Sequence, residues 1–180
     1  LLDLTRVRLG TGIPIVRAAT PLREFLEEAI AESQLSHPDR TITLSAPTEP
    51  LMADVDADRF AQVVGNLLAN ATAYSPPETA VSVRLRTWEA ETFQLEVHNT
   101  GQPIPSTVIR TIFDPFKRGD VADRKGLGLG LYIVHAVVNA HAGRIDVESS
   151  ESHGTTFRIV MPLRAPPEPP SQAEDPRKGT

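Results

Sequence analysis

Gly126-Leu127-Gly128-Leu129-Gly130-Leu131 leads straight into an apolar helical pattern carried by Leu131, Val134, Val137 and Val138. Glycines ahead of a helix N-terminus offer backbone N–H groups, and the positive end of the helix dipole, to an anion. The run is not a Walker loop, because no Gly-Lys-Ser/Thr follows it. It is not a dinucleotide fingerprint either, because a charged loop and not a strand precedes it. A glycine-rich turn alone says little. Three blocks upstream give it weight through their order and spacing.

The nearest is Ile112-Phe113-Asp114-Pro115-Phe116, followed by Lys117, Arg118, Asp120, Arg124 and Lys125. It reads either as an exposed charged loop with two core phenylalanines, or as the aromatic base of a mobile loop whose cations face phosphates. Before it, Val97-His98-Asn99-Thr100-Gly101-Gln102-Pro103-Ile104-Pro105 runs from a strand into a Gly/Pro turn. A polar side chain at such a strand end can reach a base edge, and glycine lets the backbone approach a ligand closely. A plain strand exit fits the same residues. The first block is Asn66-Leu67-Leu68-Ala69-Asn70. Its asparagines, at i and i+4, share a helix face opposite the apolar stripe that Leu67 and Leu68 extend. Amide oxygens are hard ligands suited to Mg²⁺, although two surface amides at this spacing are common.

Around these blocks the periodicities alternate. Leu1, Leu2, Leu4 and Val7 read as the end of an amphipathic helix closed by Gly10 and Gly12. Ile13 to Ala18 reads as a short strand. Thr20-Pro21 reads as a helix opening, with a capping hydroxyl and a proline at the first position. Leu22, Phe25, Leu26, Ala29 and Ile30 then make one buried face. Thr41–Leu44 and Leu51–Ala53 are strand candidates. Asp56 is placed to cap a helix with Phe60, Val63, Val64, Leu67, Leu68 and Ala71 inward. Val81–Thr87 and Phe93–Val97 alternate as a hairpin does, and Arg144–Val147 with Thr156–Met161 close the series. This order predicts an α/β fold of two layers, a mixed β-sheet with helices on one face. Beyond Leu163 the chain holds Pro166, Pro167, Pro169, Pro170 and Pro176 among charges. Residues 164–180 are therefore expected to be a disordered Pro-rich tail.

Composition bounds the function. The chain has 180 residues, 40% hydrophobic and 23% charged, enough for one packed domain with a tail. Its formal net charge of -5 argues against a nucleic-acid surface. The absence of cysteine excludes disulfides, thiolate metal sites and thiol catalysis, and fits a reducing compartment; we expect the cytoplasm. No apolar run approaches the ~18 residues that span a bilayer, so no direct membrane contact is expected.

In order and spacing, the four blocks resemble the ATP-binding motifs of the histidine-kinase and gyrase-like ATPase superfamily. The Phe113…Phe116 block and the Gly154-Thr155-Thr156-Phe157 ending make the chain most similar to the catalytic domains of bacterial sensor histidine kinases. The likeness implies a Bergerat-type sandwich over residues 13–163, with ATP and Mg²⁺ held between the helix layer and a flexible lid. Residues 1–12 are then the end of a dimerisation helix and its linker. By the same resemblance Asn70 is the Mg²⁺ ligand and Asn66 its neighbour near the phosphates. Tyr74, Asn99, Gly101 and Phe116 belong to the nucleotide pocket, and Arg118 reaches the terminal phosphates. Gly126, Gly128 and Gly130, with Leu131, form the phosphate loop. The implied partners are a phosphoacceptor dimerisation domain, a response regulator and, for the parent protein, a second copy of itself.

Three departures bear on this. The family usually carries Asp-x-Gly-x-Gly where Asn99 and Pro103 stand here. Asn keeps an acceptor oxygen but adds a donor. The resulting Asn-x-Gly-x-Pro-Ile-Pro run resembles a subset of sensor kinases that includes bacteriophytochrome kinases. A Lys common three residues after the second Asn is Ala73. Of His37, His98, His135, His141 and His153, none has the His-Glu/Asp-x-x-x-Pro setting of a phosphoacceptor. Two other readings stand beside a kinase domain. One is a nucleotide-binding regulatory module with weak kinase activity that supports response-regulator dephosphorylation. The other is a serine kinase of the anti-sigma-factor type, disfavoured by the Leu1–Gly10 helix and the Phe113–Phe116 block.

Overall fold

The computed structural model describes residues 13–116 and 128–165. The expected helix end and linker at 1–12, the lid at 117–125 with Arg118, and Gly126 lie outside the described residues, as does most of the tail. Seven strands and four helices follow in order: β1 Ala18–Pro21, α1 Leu22–Ser36, β2 Ile42–Ser45, β3 Met52–Val55, α2 Ala57–Ala73, β4 Val81–Thr87, β5 Thr92–Asn99, α3 Ser106–Ile109, α4 Gly130–Ala140, β6 Arg144–Ser150 and β7 Gly154–Pro162.

The main sheet runs β2-β4-β5-β7-β6, parallel at β2–β4 and antiparallel elsewhere, so it is mixed as the sequence predicts. Its register puts one apolar row after another on the inner face: Val83 opposite Val97 opposite Phe157, and Leu85 opposite Leu95 opposite Ile159. Side chains of a strand alternate between faces, so the intervening Arg84, Glu96 and Arg158 line the outer face. There Glu96 draws in Arg84, Arg86 and Arg158 within 3.4, 3.7 and 2.9 Å.

The inner face is covered by Leu22, Leu26 and Ile30 of α1, Phe60 to Ala71 of α2, and Val134, Val137 and Val138 of α4. Phe60 joins the layers at its centre, stacked on Phe25 at 5.2 Å and edge-on to Phe93 at 6.0 Å. Burying each such side chain contributes about 1.5–3 kcal/mol.

Two local expectations are corrected. The segment from Ile13 is not a strand until Ala18; β1 is Ala18–Pro21, paired antiparallel with β3 in a separate ribbon. Thr20 therefore does not cap α1. Its hydroxyl donates to the Ala18 carbonyl at 3.0 Å, and Pro21 itself is the N-cap, without a side-chain hydrogen bond. Pairing with β3 overrode a local cap signal. Asp56 does cap α2, accepting from the Arg59 N–H at 3.1 Å.

Candidate nucleotide-binding site

The site forms where α2, the β5 exit and the start of α4 meet. α2 buries Val63, Val64, Leu67 and Leu68, and this turns Asn66 and Asn70 to its half-buried opposite side. Neither amide bonds to another side chain among the described residues. α4 begins at Gly130, the third glycine of the loop, with Leu129 as N-cap and no side-chain cap. Its first N–H groups are therefore unclaimed by a cap. A Cβ on Gly130 would stand 3.1 Å from Asn66 Oδ1. The asparagine face and the glycine loop, 64 residues apart in the numbering, are thus in contact.

A second contact joins the strand exit to the other end of α2. Tyr74 is the C-cap of α2 and half exposed. Gly101 packs against it so closely that a Cβ would overlap the Tyr74 carbonyl oxygen, and Gly101 has φ 152°. Both facts demand glycine there. Between these contacts Asn99 ends β5 with only 4% of its surface exposed. Its Nδ2 donates to the Thr100 carbonyl at 3.1 Å, and Oδ1 accepts no hydrogen bond among the described residues. A third contact ties the aromatic block to the loop: the Phe116 N–H donates to the Gly128 carbonyl at 3.1 Å. Phe113 stacks on His135 of α4 at 5.4 Å, and Phe116 is 54% exposed.

Thr155, in the Gly154-Thr155-Thr156-Phe157 run, also enters this site. It is buried, pairs in register with Asn99, and its hydroxyl lies 2.7 Å from Ser149 Oγ, which accepts from the Ile104 N–H. Only the β5–β7 register brings it beside Asn99. The Gly154-Thr155-Thr156-Phe157 run carries part of the family resemblance, but no local signal in it shows this pairing with Asn99.

Two perturbed titrating groups, His141 and Asp56, lie away from this site, where α2 and α4 meet again. His141 is buried at the C-cap of α4; its Nδ1 donates to the Val137 carbonyl at 2.8 Å and its Nε2 accepts from the Asp56 N–H at 3.0 Å. Burial holds this imidazole below its ordinary pKa. Burial also pushes the Asp56 carboxyl up, but N–H bonds from Val16 and Arg59 outweigh it and leave the net shift downward. The ten residues from Asp56 to Asn66 span ~15 Å of helix, as do the eleven of α4. α4 therefore meets α2 near both of its own ends, at Gly130 and at His141.

The profile of the histidine kinase-, DNA gyrase B- and HSP90-like ATPase family matches residues 55–165. The chain belongs to this ATPase family. Its ATP-binding fold is of the histidine-kinase catalytic type. The ATPase domain is 37% identical over 163 residues to a probable sensor histidine kinase, TcrY, of Mycobacterium tuberculosis, covering 89% of this chain and 34% of TcrY. It is 33% identical over 167 residues to a bacteriophytochrome of Pseudomonas aeruginosa, covering 91% of this chain and 22% of that protein. The chain thus spans about a third or less of the length of these relatives. Among solved structures, the mycobacterial sensor histidine kinase MprB superposes with a TM-score of 0.73 at 27% identity, over 84% of this chain and all of that one. Full-length ShkA in complex with AMPPNP has the same fold, with a TM-score of 0.74 at 22% identity over 86% of this chain and 33% of that one.

Proposed function

We propose that this domain binds ATP with Mg²⁺ and presents the γ-phosphoryl group to a histidine on a dimerisation domain of a two-component sensor kinase. The observation that carries the reading is the contact of Asn66 with Gly130, which sets one amide oxygen beside an uncapped helix N-terminus, with Asn70 one turn further along the same face of α2. That arrangement suits a hydrated divalent cation and the phosphates it bridges.

Asn70 supplies an oxygen ligand to the cation and Asn66 orients the adjacent phosphate. Gly126, Gly128, Gly130 and Leu131 give backbone donors to the phosphate chain. Asn99 receives the adenine amino group on its Oδ1, on a floor made by Gly101 and with Tyr74 at the side. Phe116, fastened to Gly128, sets the base of the lid, from which Arg118 reaches the terminal phosphates. When bound, Mg²⁺ would neutralise charge on the nucleotide's phosphates. The domain's own contribution is positioning, the main requirement of phosphoryl transfer. We place this domain in the cytoplasm, and its parent protein as a homodimer that phosphorylates a response regulator.

Labelled ATP, Mg²⁺ and this domain, mixed with a separate histidine-bearing helical domain, test the reading. Label on the histidine is the expected result. ATP binding without transfer to any supplied acceptor domain would favour a regulatory nucleotide-binding module instead.

A further inference from the structure

Arg40 belongs to none of the four blocks. It sits in the turn between α1 and β2, where its own N–H donates to the His37 carbonyl at 3.0 Å. Its guanidinium reaches a different loop, the one that leaves α2 after Tyr74. Nη1 donates to the Pro76 carbonyl at 2.7 Å, and Nη2 donates to Ser75 Oγ. Ser75 Oγ in turn donates to the Ala71 carbonyl at 2.7 Å, in the last turn of α2. Arg40 thus holds the two residues directly after Tyr74, through a planar fork that a flexible ammonium cannot copy.

What that loop supports is Gly101. The nearest atoms to a Cβ on Gly101 are the Tyr74 carbonyl oxygen and carbon, and then Ser75 Cα at 3.5 Å. Two residues before Gly101 stands Asn99. Shifting Ser75 by a few tenths of an ångström therefore shifts the surface against which the Asn99–Gly101 turn rests. The fastening also carries a cost, for Arg40 Nε is buried without a partner among the described residues. A buried donor left unpaired weakens any account of Arg40 as a stabiliser alone.

We propose that Arg40 is a positioning residue for the base end of the nucleotide pocket, acting through Ser75 and Tyr74 on Gly101. The inference rests on the reading of Asn99, Gly101 and Tyr74 as the base side of an ATP site. It makes Arg40 a determinant of how tightly the base is gripped, with no contact to the phosphates.

The whole chain and its Arg40→Ala, Arg40→Lys, Ser75→Ala and Arg40→Ala/Ser75→Ala variants are titrated with ATP-Mg and with inorganic triphosphate-Mg, well below each apo melting temperature. Arg40→Ala and Ser75→Ala should each weaken ATP-Mg by ~fivefold or more, the worth of one lost hydrogen bond. The double variant should lose less than the product of the two. Arg40→Lys should recover only part, and triphosphate affinity should stay unchanged in all. Failure of the wild type to bind ATP-Mg would undo the underlying site reading. Wild-type ATP affinity in folded Arg40→Ala, or equal losses for ATP and triphosphate, would overturn the role of Arg40 itself. Should Arg40→Ala not fold, Ser75→Ala alone decides by the same comparison.

Discussion

Asn66 Oδ1 stands 3.1 Å from the place a side-chain carbon on Gly130 would occupy, so helix α2 and the start of α4 share one surface at the proposed phosphates. Replacing Gly130 by Ala forces the Asn66 amide aside. Alanine improves the helix by up to about 1 kcal/mol, so folding should survive or gain. ATP-Mg affinity should nonetheless fall several-fold. Calorimetry beside a thermal melt checks this, and unchanged affinity would mean Asn66 does not serve the site.

Gly101→Ala is a harsher change. The new Cβ meets the Tyr74 carbonyl, and φ 152° suits only glycine. The strain alone costs about 1–3 kcal/mol, and the clash adds to it. A lowered melting temperature together with loss of ATP binding is the expected outcome. A variant as stable as wild type would show that the Asn99–Gly101 turn is not held against α2.

His141 gives the domain an acid limit. Burial first, and Arg17 further, disfavour its charged form; the Val137 carbonyl and the Asp56 carboxylate favour it, and the net pKa is lowered. Unfolded, the imidazole has its ordinary value of 6.5, so between the two values the unfolded chain binds more protons. Its contribution is therefore full above pH 6.5 and is lost as pH falls toward the folded value, at up to ~1.4 kcal/mol per pH unit. Urea denaturation from about pH 7.5 to 5.5 should show this slope, and His141→Gln should flatten it while lowering stability at neutral pH. Equal slopes in both proteins would remove His141 as the cause.

Base preference turns on Asn99. Its Nδ2 is engaged by the Thr100 carbonyl, which leaves Oδ1 to accept from an adenine amino group. Reading guanine requires the amide to flip and give up that bond, a cost of about 1 kcal/mol. A carboxylate would repel the guanine carbonyl outright, whereas Asn99 only disfavours it. ATP should be preferred over GTP, but less strongly than in Asn99→Asp. Equal preference in the two proteins would show that Asn99 does not read the base.

The helices and the main sheet were legible in the sequence because burial on one face writes a period of 3.6 or 2 into it. The apolar sets at Leu22–Ile30 and Phe60–Ala71 and the alternation of Val81–Thr87 lie where the sequence predicts. β1 was misplaced because its pairing with β3 is non-local, and a Thr-Pro pair gives the same local signal for a helix cap as for a strand end. α3, at only four residues, is too short to show a period. The proposed site residues were visible as motifs, but their contacts were not. Nothing local says that Gly101 rests on Tyr74, that Thr155 joins Asn99, or that Arg40 fastens Ser75. Those relations come from register and from chain reversal, which no window of sequence contains.

The asparagine face of α2 is proposed to hold a magnesium nucleotide. Titrating the wild-type chain and Asn70→Ala with ATP-Mg by calorimetry tests it most directly. Loss of one oxygen ligand should weaken ATP-Mg by at least roughly tenfold, or ~1.4 kcal/mol, while affinity for ATP in the presence of a chelator stays the same in both proteins. Equal ATP-Mg affinities in folded wild type and variant would show that Asn70 does not ligate the cation and that this face of α2 is not the nucleotide site.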